Sequence, residues 1–228
     1  MRKLPLIVVI IALVGGLQAA GGQSIVYNDP AGQGTQTFGG NLALDFTVNT
    51  PVTVDALGVF NASGNGVITG TIDVAIYDIS TSTWVTPTAI FHGTYTPQGL
   101  GYDVFQPIAS VTLAPGNYEV DAYGFSGADP NGNLNTGSPF GPFLNSVGGA
   151  LTFTGAAWDY TTSSLDAPTT CSTCQNAPTP QDRQFDAGTF EVSHVPEGGE
   201  PWLYLLLAGM VCSGAMAFAP RNSLESRA

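Results

Sequence analysis

Alternation of apolar and polar residues is the strongest pattern in the middle of the chain. Between residues 71 and 78 every second side chain is aliphatic, and between residues 117 and 123 the acidic Glu119 and Asp121 alternate with apolar side chains. A period of two places successive side chains on opposite faces of a strand. Both segments therefore predict strands with one buried and one solvated face, with Glu119 and Asp121 on the solvated side.

Weaker alternation predicts further strands, separated by turns rich in Gly, Asn, Asp and Pro. These strands are predicted at residues 42–48, 52–60, 86–95, 102–108, 110–113, 150–158 and 185–192. Helical periodicity is nearly absent from this region, and the lack of a fixed-period repeat argues against a β-helix or a propeller. The predicted fold class is all-β, an antiparallel β-sandwich of jelly-roll type.

The N-terminus has the three parts of a secretory signal peptide. Arg2 and Lys3 precede an unbroken apolar stretch at residues 4–14, and small residues follow. The apolar stretch is short for a permanent membrane span. Residues 1–22 are therefore predicted to be a signal peptide that signal peptidase removes, and the protein is predicted to be exported.

A second apolar segment, near the C-terminus, predicts a membrane-spanning helix. Residues 202–219, which begin at Trp202, contain no charge and no proline. As a helix they would extend about 27 Å, enough to cross the apolar core of a bilayer. Arg221 and Arg227 follow, which directs the C-terminus to the cytoplasm by the positive-inside tendency. A buried helix of a soluble domain is disfavoured because the segment has no polar face.

Residues 195–228 resemble a PEP-CTERM sorting signal, a family also known as the ice-binding protein C-terminal domain. Pro196 and Glu197 are followed by a short spacer, the apolar span and a sparse basic end. The resemblance implies a Gram-negative bacterium in which this tail holds the exported protein in the inner membrane until an exosortase-type protease cuts near the motif. Gly198 stands where the family has a second proline. That departure leaves open a GlyGly-CTERM signal, which is handled by rhombosortase and would use Gly198 and Gly199, or a plain uncleaved anchor.

Between these ends, residues 23–194 are predicted to form one domain with a strongly unbalanced charge. Residues 24–194 contain fourteen Asp and Glu but only one Lys or Arg, which is Arg183. Affinity for nucleic acid comes mainly from Lys and Arg that neutralise phosphates, so a nucleic-acid partner is not expected. Divalent cations and neutral glycans, including secreted exopolysaccharide, are the candidate partners.

Two cysteines lie in a Thr/Ser/Pro-rich segment, residues 161–182, that is predicted to be a long loop. In an oxidising compartment, Cys171 and Cys174 are candidates for a small local disulfide. The surrounding prolines disfavour a redox-active CxxC at the start of a helix, and Gln175 stands where haem attachment needs a histidine. A zinc site would need two more ligands nearby.

Few residues are candidates for catalysis or metal binding. His92, the only histidine inside the predicted sandwich, is not accompanied by a nucleophile-elbow motif and is interpreted as structural. Asp129, Asn131 and Asn133 place side-chain oxygens at alternate positions, as calcium loops do. They form a candidate Ca²⁺ site, although the glycine and the glutamate of such a loop are missing. No other cofactor is predicted.

A functional prediction follows from the order of these segments. Residues 52–125 resemble exported sandwich domains of uncharacterised function that often precede such sorting signals, which implies a fold and no activity. Trp84 and Trp158 lie near predicted loops, where exposed rings stack on sugars, although tryptophans in sandwiches are more often buried. The predicted function is non-enzymatic: an exported cell-surface or extracellular-matrix protein with a structural or adhesive role. A carbohydrate-binding module is the alternative, and an exported hydrolase comes third.

Overall fold

The computed structural model describes residues 23–28, 36–132, 143–160, 163–168, 175–177 and 186–193. These residues contain no α-helix, and one turn of 3-10 helix spans Val147–Gly149. The strands are β1 (Gln23–Ile25), β2 (Tyr27–Asn28), β3 (Asn41–Val48), β4 (Val52–Phe60), β5 (Val67–Asp78), β6 (Thr83–Trp84), β7 (Ala89–Thr94), β8 (Asp103–Leu113), β9 (Gly116–Tyr123), β10 (Phe143–Leu144), β11 (Leu151–Asp159), β12 (Gln175–Ala177) and β13 (Gly188–Ser193).

These strands form two main sheets, and every pairing between them is antiparallel. The smaller sheet has the order β1-β13-β4-β8, and the larger one has the order β12-β11-β3-β9-β5. Both β6 and β7 pair with the remaining edge of β5, beside different parts of that strand. A third, two-stranded sheet contains β2 and β10.

The two main sheets pack face to face around one apolar core. The rings of Phe46 on β3 and Phe190 on β13 meet with centroids 5.0 Å apart. A methyl group added at Gly188 of β13 would lie 3.3 Å from side-chain atoms of Val74 and Val120 in the larger sheet. Removal of these apolar faces from water is the main stabilising contribution to such a layered fold. The predicted all-β, antiparallel fold is confirmed, and the arrangement is consistent with a β-sandwich.

Most of the predicted strands are present close to their predicted bounds. The strand predicted at 52–60 is β4, and the one predicted at 42–48 is β3 with one more residue. The two strands predicted at 102–108 and 110–113 form a single strand, β8. Its register against β4 shifts between Val54 and Ala56, which lets the strand continue past Pro107.

The prediction of a solvated face on β9 is wrong. Glu119 and Asp121 do lie opposite the core residues of their strand, but both side chains are fully buried. On the neighbouring strands Ala43 and Ala75, which are opposite Asp121, are also buried. The face of the larger sheet that points away from the core is therefore covered as well.

The chain separates into two compact units. One is Gly21–His194, which contains all thirteen strands named above, and the other consists of residues 1–20 and 195–228. The predicted signal peptide at 1–22 and the predicted membrane helix at 202–219 lie outside the described residues. Within the described ranges, no helix is long and apolar enough to cross a membrane. Part of the segment predicted as a loop, Gln175–Ala177, forms strand β12.

Candidate functional site

One face of the larger sheet gathers carboxyl groups. This face, called the outer face here, points away from the smaller sheet and is formed by the alternate residues of β3, β5, β9 and β11 that do not enter the core. On it, Asp45 of β3 lies directly opposite Glu119 of β9, and Ala43 lies opposite Asp121. Cβ atoms of directly opposed residues are about 4.5–5.5 Å apart. The topology therefore brings three acidic side chains into one small area.

The pKa of Asp121, one member of this group, is strongly perturbed. Its side chain is 0% exposed, and neither carboxyl oxygen has a hydrogen-bond partner among the described residues. Burial raises the pKa of Asp121 well above its ordinary value, because the charged form loses its hydration. Repulsion from three nearby carboxylates raises this pKa further: those of Glu119, Asp45 and Asp166.

A segment that is not part of any strand supplies the fourth carboxyl group. Residues 163–168, called the strap here, are bound to the buried Asn41 at the start of β3. The Asn41 side chain donates from Nδ2 to the Ser164 carbonyl oxygen, and its Oδ1 accepts from the Asp166 backbone amide, both at 2.9 Å. Ala167 of the strap is buried, whereas the Asp166 side chain is exposed.

An aromatic pair with one exposed member, Trp84, and one buried member, Tyr77, lies at the β6 edge of the larger sheet. Trp84 is 41% exposed, and its ring meets the ring of Tyr77 edge-on with centroids 5.0 Å apart. Tyr77 is directly opposite Trp84 on one side and Glu119 on the other, so the aromatic pair is in line with the carboxyl groups. The second tryptophan considered for glycan stacking, Trp158, is buried in the core.

The candidate calcium ligands are only partly described. Asn133 lies outside the described residues, and Asn131 is fully buried. Both carboxylate oxygens of Asp129 accept backbone hydrogen bonds, from Thr69 at 2.9 Å and from Gly70 at 2.6 Å. In the part of the chain that the structure describes, no three His, Cys, Asp or Glu side chains are arranged to hold a metal ion. The contacts of Asp129 give it a structural role in β5.

His92 makes contacts of a structural kind. Its Nδ1 lies 2.7 Å from the Gly70 carbonyl oxygen, so Nδ1 carries the proton and donates it. Its backbone amide donates to the Tyr95 hydroxyl at 3.0 Å. These contacts do not join the imidazole to the carboxylate and the nucleophilic hydroxyl that a hydrolytic triad needs.

The remaining predicted site residues lie outside the described residues. They are the sorting motif Pro196, Glu197 and Gly198, the membrane-flanking Trp202, Arg221 and Arg227, and the cysteine pair Cys171 and Cys174. Their roles stay predictions.

Sequence reasoning missed the contact between β3 and the strap. Asn41 and Asp166 are separated by 125 positions in the chain, and no local pattern links an asparagine at a strand start to a distant loop. The alternation of Glu119 and Asp121 with apolar residues did indicate that these two side chains lie on one face of their strand. It gave no information about which part of the chain covers that face.

Comparisons with known proteins add no information about these residues. No protein-family model matches the chain, and no curated protein sequence matches it.

Proposed function

We propose that this is an exported, non-enzymatic cell-surface or extracellular-matrix protein of a Gram-negative bacterium, sorted through its C-terminal segment. The observation that carries the proposal is the order of segments in the sequence: a basic and apolar N-terminus, an acidic β domain, Pro196 and Glu197, and an apolar run at 202–219 that ends before Arg221. Signal peptidase removes residues 1–22. An exosortase-type protease then releases the domain from the inner membrane.

The intact mass of the protein from its native host, measured separately in membranes and in the medium, tests this proposal. A species in the medium that ends between residues 195 and 201 is the expected result. A protein found only in membranes and retaining Ala228 would overturn sorting and leave an ordinary anchor. Two paired variants separate the proteases: Glu197→Ala should block an exosortase, whereas Gly199→Ala should block only a rhombosortase.

The adhesive role has a more specific alternative, binding of a neutral glycan, which the exposure of Trp84 favours. An exposed indole presents a flat apolar surface to a sugar ring, and the edge-on contact with Tyr77 holds this indole in place. A surface with many carboxylates and no described Lys or Arg suits uncharged polysaccharides better than anionic ones.

Retention of the full-length protein on insoluble cellulose, chitin and the host's own exopolysaccharide tests glycan binding. Trp84→Ala should lower retention at least tenfold on whichever polysaccharide the wild type binds, without lowering the melting temperature. Ile90→Ala on β7 is the matched control, because Ile90 is also an exposed apolar residue beside β5. Equal retention of the wild type and the Trp84 variant would overturn this alternative.

We also propose that the sandwich is a jelly roll. Numbered in chain order, the principal strands β1, β3, β4, β5, β7, β8, β9 and β13 lie in the orders 1-8-3-6 and 2-7-4-5 in the two sheets. Two interleaved Greek keys produce this order. An experimental structure in which β13 does not lie between β1 and β4 would overturn the assignment.

A further inference from the structure

A row of uncharged polar side chains crosses three strands of the outer face, at the end of the larger sheet where β3 leads into β4. Thr152 on β11 lies directly opposite Thr47 on β3, and Thr47 lies directly opposite Asn117 on β9. Thr152 and Asn117 are exposed, and Thr47 is half-buried. These three residues, called the polar row here, therefore present hydroxyl and amide groups that both donate and accept hydrogen bonds.

Hydrogen bonds hold the side chains of the polar row in place. The Thr47 hydroxyl donates to Asn117 Oδ1 at 2.8 Å. Just past the end of β3, Asn49 Nδ2 donates to the Thr152 hydroxyl and to the Gly149 carbonyl oxygen, both at 2.9 Å. None of these bonds uses the Asn117 NH₂ group or the Thr152 hydroxyl hydrogen. Because the side chains are already ordered, a ligand that binds them costs little additional side-chain entropy.

The polar row lies beside the covered part of the outer face. Two residues further along these strands, Asp45 lies opposite Glu119, and Glu119 lies opposite Tyr77. Glu119 is fully buried and Asp45 is half-buried, whereas Asn117 is exposed. The boundary between buried and exposed surface therefore runs between these two rows, and the polar row forms an open shelf along it.

The exposed indole of Trp84 continues this shelf toward the β6 edge of the sheet. Trp84 pairs with Tyr77 on β5, and Tyr77 pairs with Glu119, two residues after Asn117 on β9. Neighbouring strands are about 4.8 Å apart, and successive residues of a strand rise by about 3.3 Å. From Thr152 on β11 across β3, β9 and β5 to Trp84 on β6, the shelf therefore extends about 20 Å. That length suits a chain of several sugar units and is too long for one.

We propose that the shelf binds an extended, uncharged polysaccharide chain that crosses the strands, with Trp84 stacking on one sugar ring and the polar row binding the hydroxyl groups of the sugars beyond it. Chain binding rests on the glycan alternative proposed above. It adds the ligand class, a linear chain of roughly four or more sugar units at about one unit for each strand spacing. Hydroxyl and amide groups match sugar hydroxyls as donors and as acceptors. None of the described residues is a Lys or Arg that would attract an anionic chain.

The dependence of affinity on chain length tests the extent of the site. The full-length protein, in a detergent without a sugar headgroup if the apolar tail requires it, is titrated calorimetrically with cello-oligosaccharides, chito-oligosaccharides and fragments of the host exopolysaccharide, each of two and of six sugar units. In the series that binds, the six-unit chain should bind roughly tenfold more tightly, because two or three additional hydrogen bonds raise affinity by about that factor. Equal affinities for the two lengths would overturn the extended site and leave glycan binding at Trp84 intact. Binding of none of them would remove the glycan alternative and the extended site together.

Variants of the polar row separate its contribution from that of the indole. Asn117→Ala and Thr152→Val should each weaken binding of the six-unit chain and leave the two-unit ligand unchanged, whereas Trp84→Ala should weaken both. Thr112→Val is the matched control on the smaller sheet, where an exposed threonine also contacts a threonine of the neighbouring strand, Thr53, at 3.2 Å. It should change neither affinity. Wild-type affinity for the six-unit chain in both polar-row variants, with unchanged melting temperatures, would overturn the proposal and confine binding to the indole.

Discussion

Replacement of Asp129 by alanine tests the structural role of a residue that the sequence suggested as a calcium ligand. The register of β5 against β7 shifts between Ile68 and Ile72, so that part of β5 has no regular ladder with its neighbour. Asp129, nearly buried, fills this gap by accepting the backbone amides of Thr69 and Gly70. Alanine in its place would leave both amide donors without that acceptor.

The expected loss follows from these two hydrogen bonds. A hydrogen bond to a charged group contributes about 1.5–3 kcal/mol, and both bonds here end on one carboxylate. The amides are only partly buried, so water can replace part of the loss, and we expect Asp129→Ala to lower the free energy of unfolding by about 2–4 kcal/mol. For a chain of this size that corresponds to a fall in melting temperature of roughly 4–16 °C.

Urea unfolding and calorimetry of the full-length protein measure this loss in Asp129→Ala. The same measurements on Asp129→Asn provide an intermediate case. Asparagine keeps the volume and one acceptor oxygen but points an NH₂ group at the second amide, so about half of the loss is expected. A Ca²⁺ titration of both proteins separates the two roles, since a calcium ligand would give a Ca²⁺-dependent stabilisation that the Asn variant lacks. An Asp129→Ala protein within about 0.5 kcal/mol of the wild type would refute the structural reasoning.

Three other predictions concern the core, the backbone and the second buried acid. Phe190→Ala should lower the free energy of unfolding by about 3–5 kcal/mol in urea, because it opens a cavity between the sheets. Gly124→Ala should lower the melting temperature sharply, since Gly124 has φ +112° and the new Cβ would clash with the Thr71 carbonyl oxygen. Burial, and then the Asp55 carboxylate, raise the pKa of Glu191 above its unfolded value, so its contribution to stability is present in acid and is lost as the pH rises. Glu191→Gln should therefore reduce the fall in melting temperature between pH 4 and pH 8, as measured by thermal unfolding.

Local alternation was sufficient to predict the strands that cross the core. β4 matches its predicted bounds, and β9 differs by one residue at its start. In β9 every second side chain enters the apolar layer between the sheets, and in β4 the same alternation holds on each side of the register shift between Val54 and Ala56. Strands of two or three residues, such as β6, are too short to show a period. Pairing partners were not predictable either, since Gln23 of β1 pairs with Ser193 at the opposite end of the domain.

The error over Glu119 and Asp121 has a physical cause that alternation cannot reveal. A period of two shows that two faces of a strand differ, and it is natural to assign the polar face to water. In the folded chain both faces of β9 are buried: one packs against the smaller sheet, and Glu119 and Asp121 on the other are removed from solvent as well. Because the cover comes from distant parts of the chain, acidity alone could not indicate whether these side chains were solvated.

The burial of acids in a domain so poor in bases ties its stability to the proton concentration around it. A basic domain would pair such carboxylates with Lys or Arg, but residues 24–194 contain only Arg183. Burial raises the pKa values of Asp73, Asp121 and Glu191, so in each case the folded state holds its proton more tightly than the unfolded chain does. At these three positions the folded state binds protons more tightly than the unfolded chain, so their contribution to stability falls as the pH rises. If the domain is exported as proposed, the pH that sets this contribution to its stability is that of the medium.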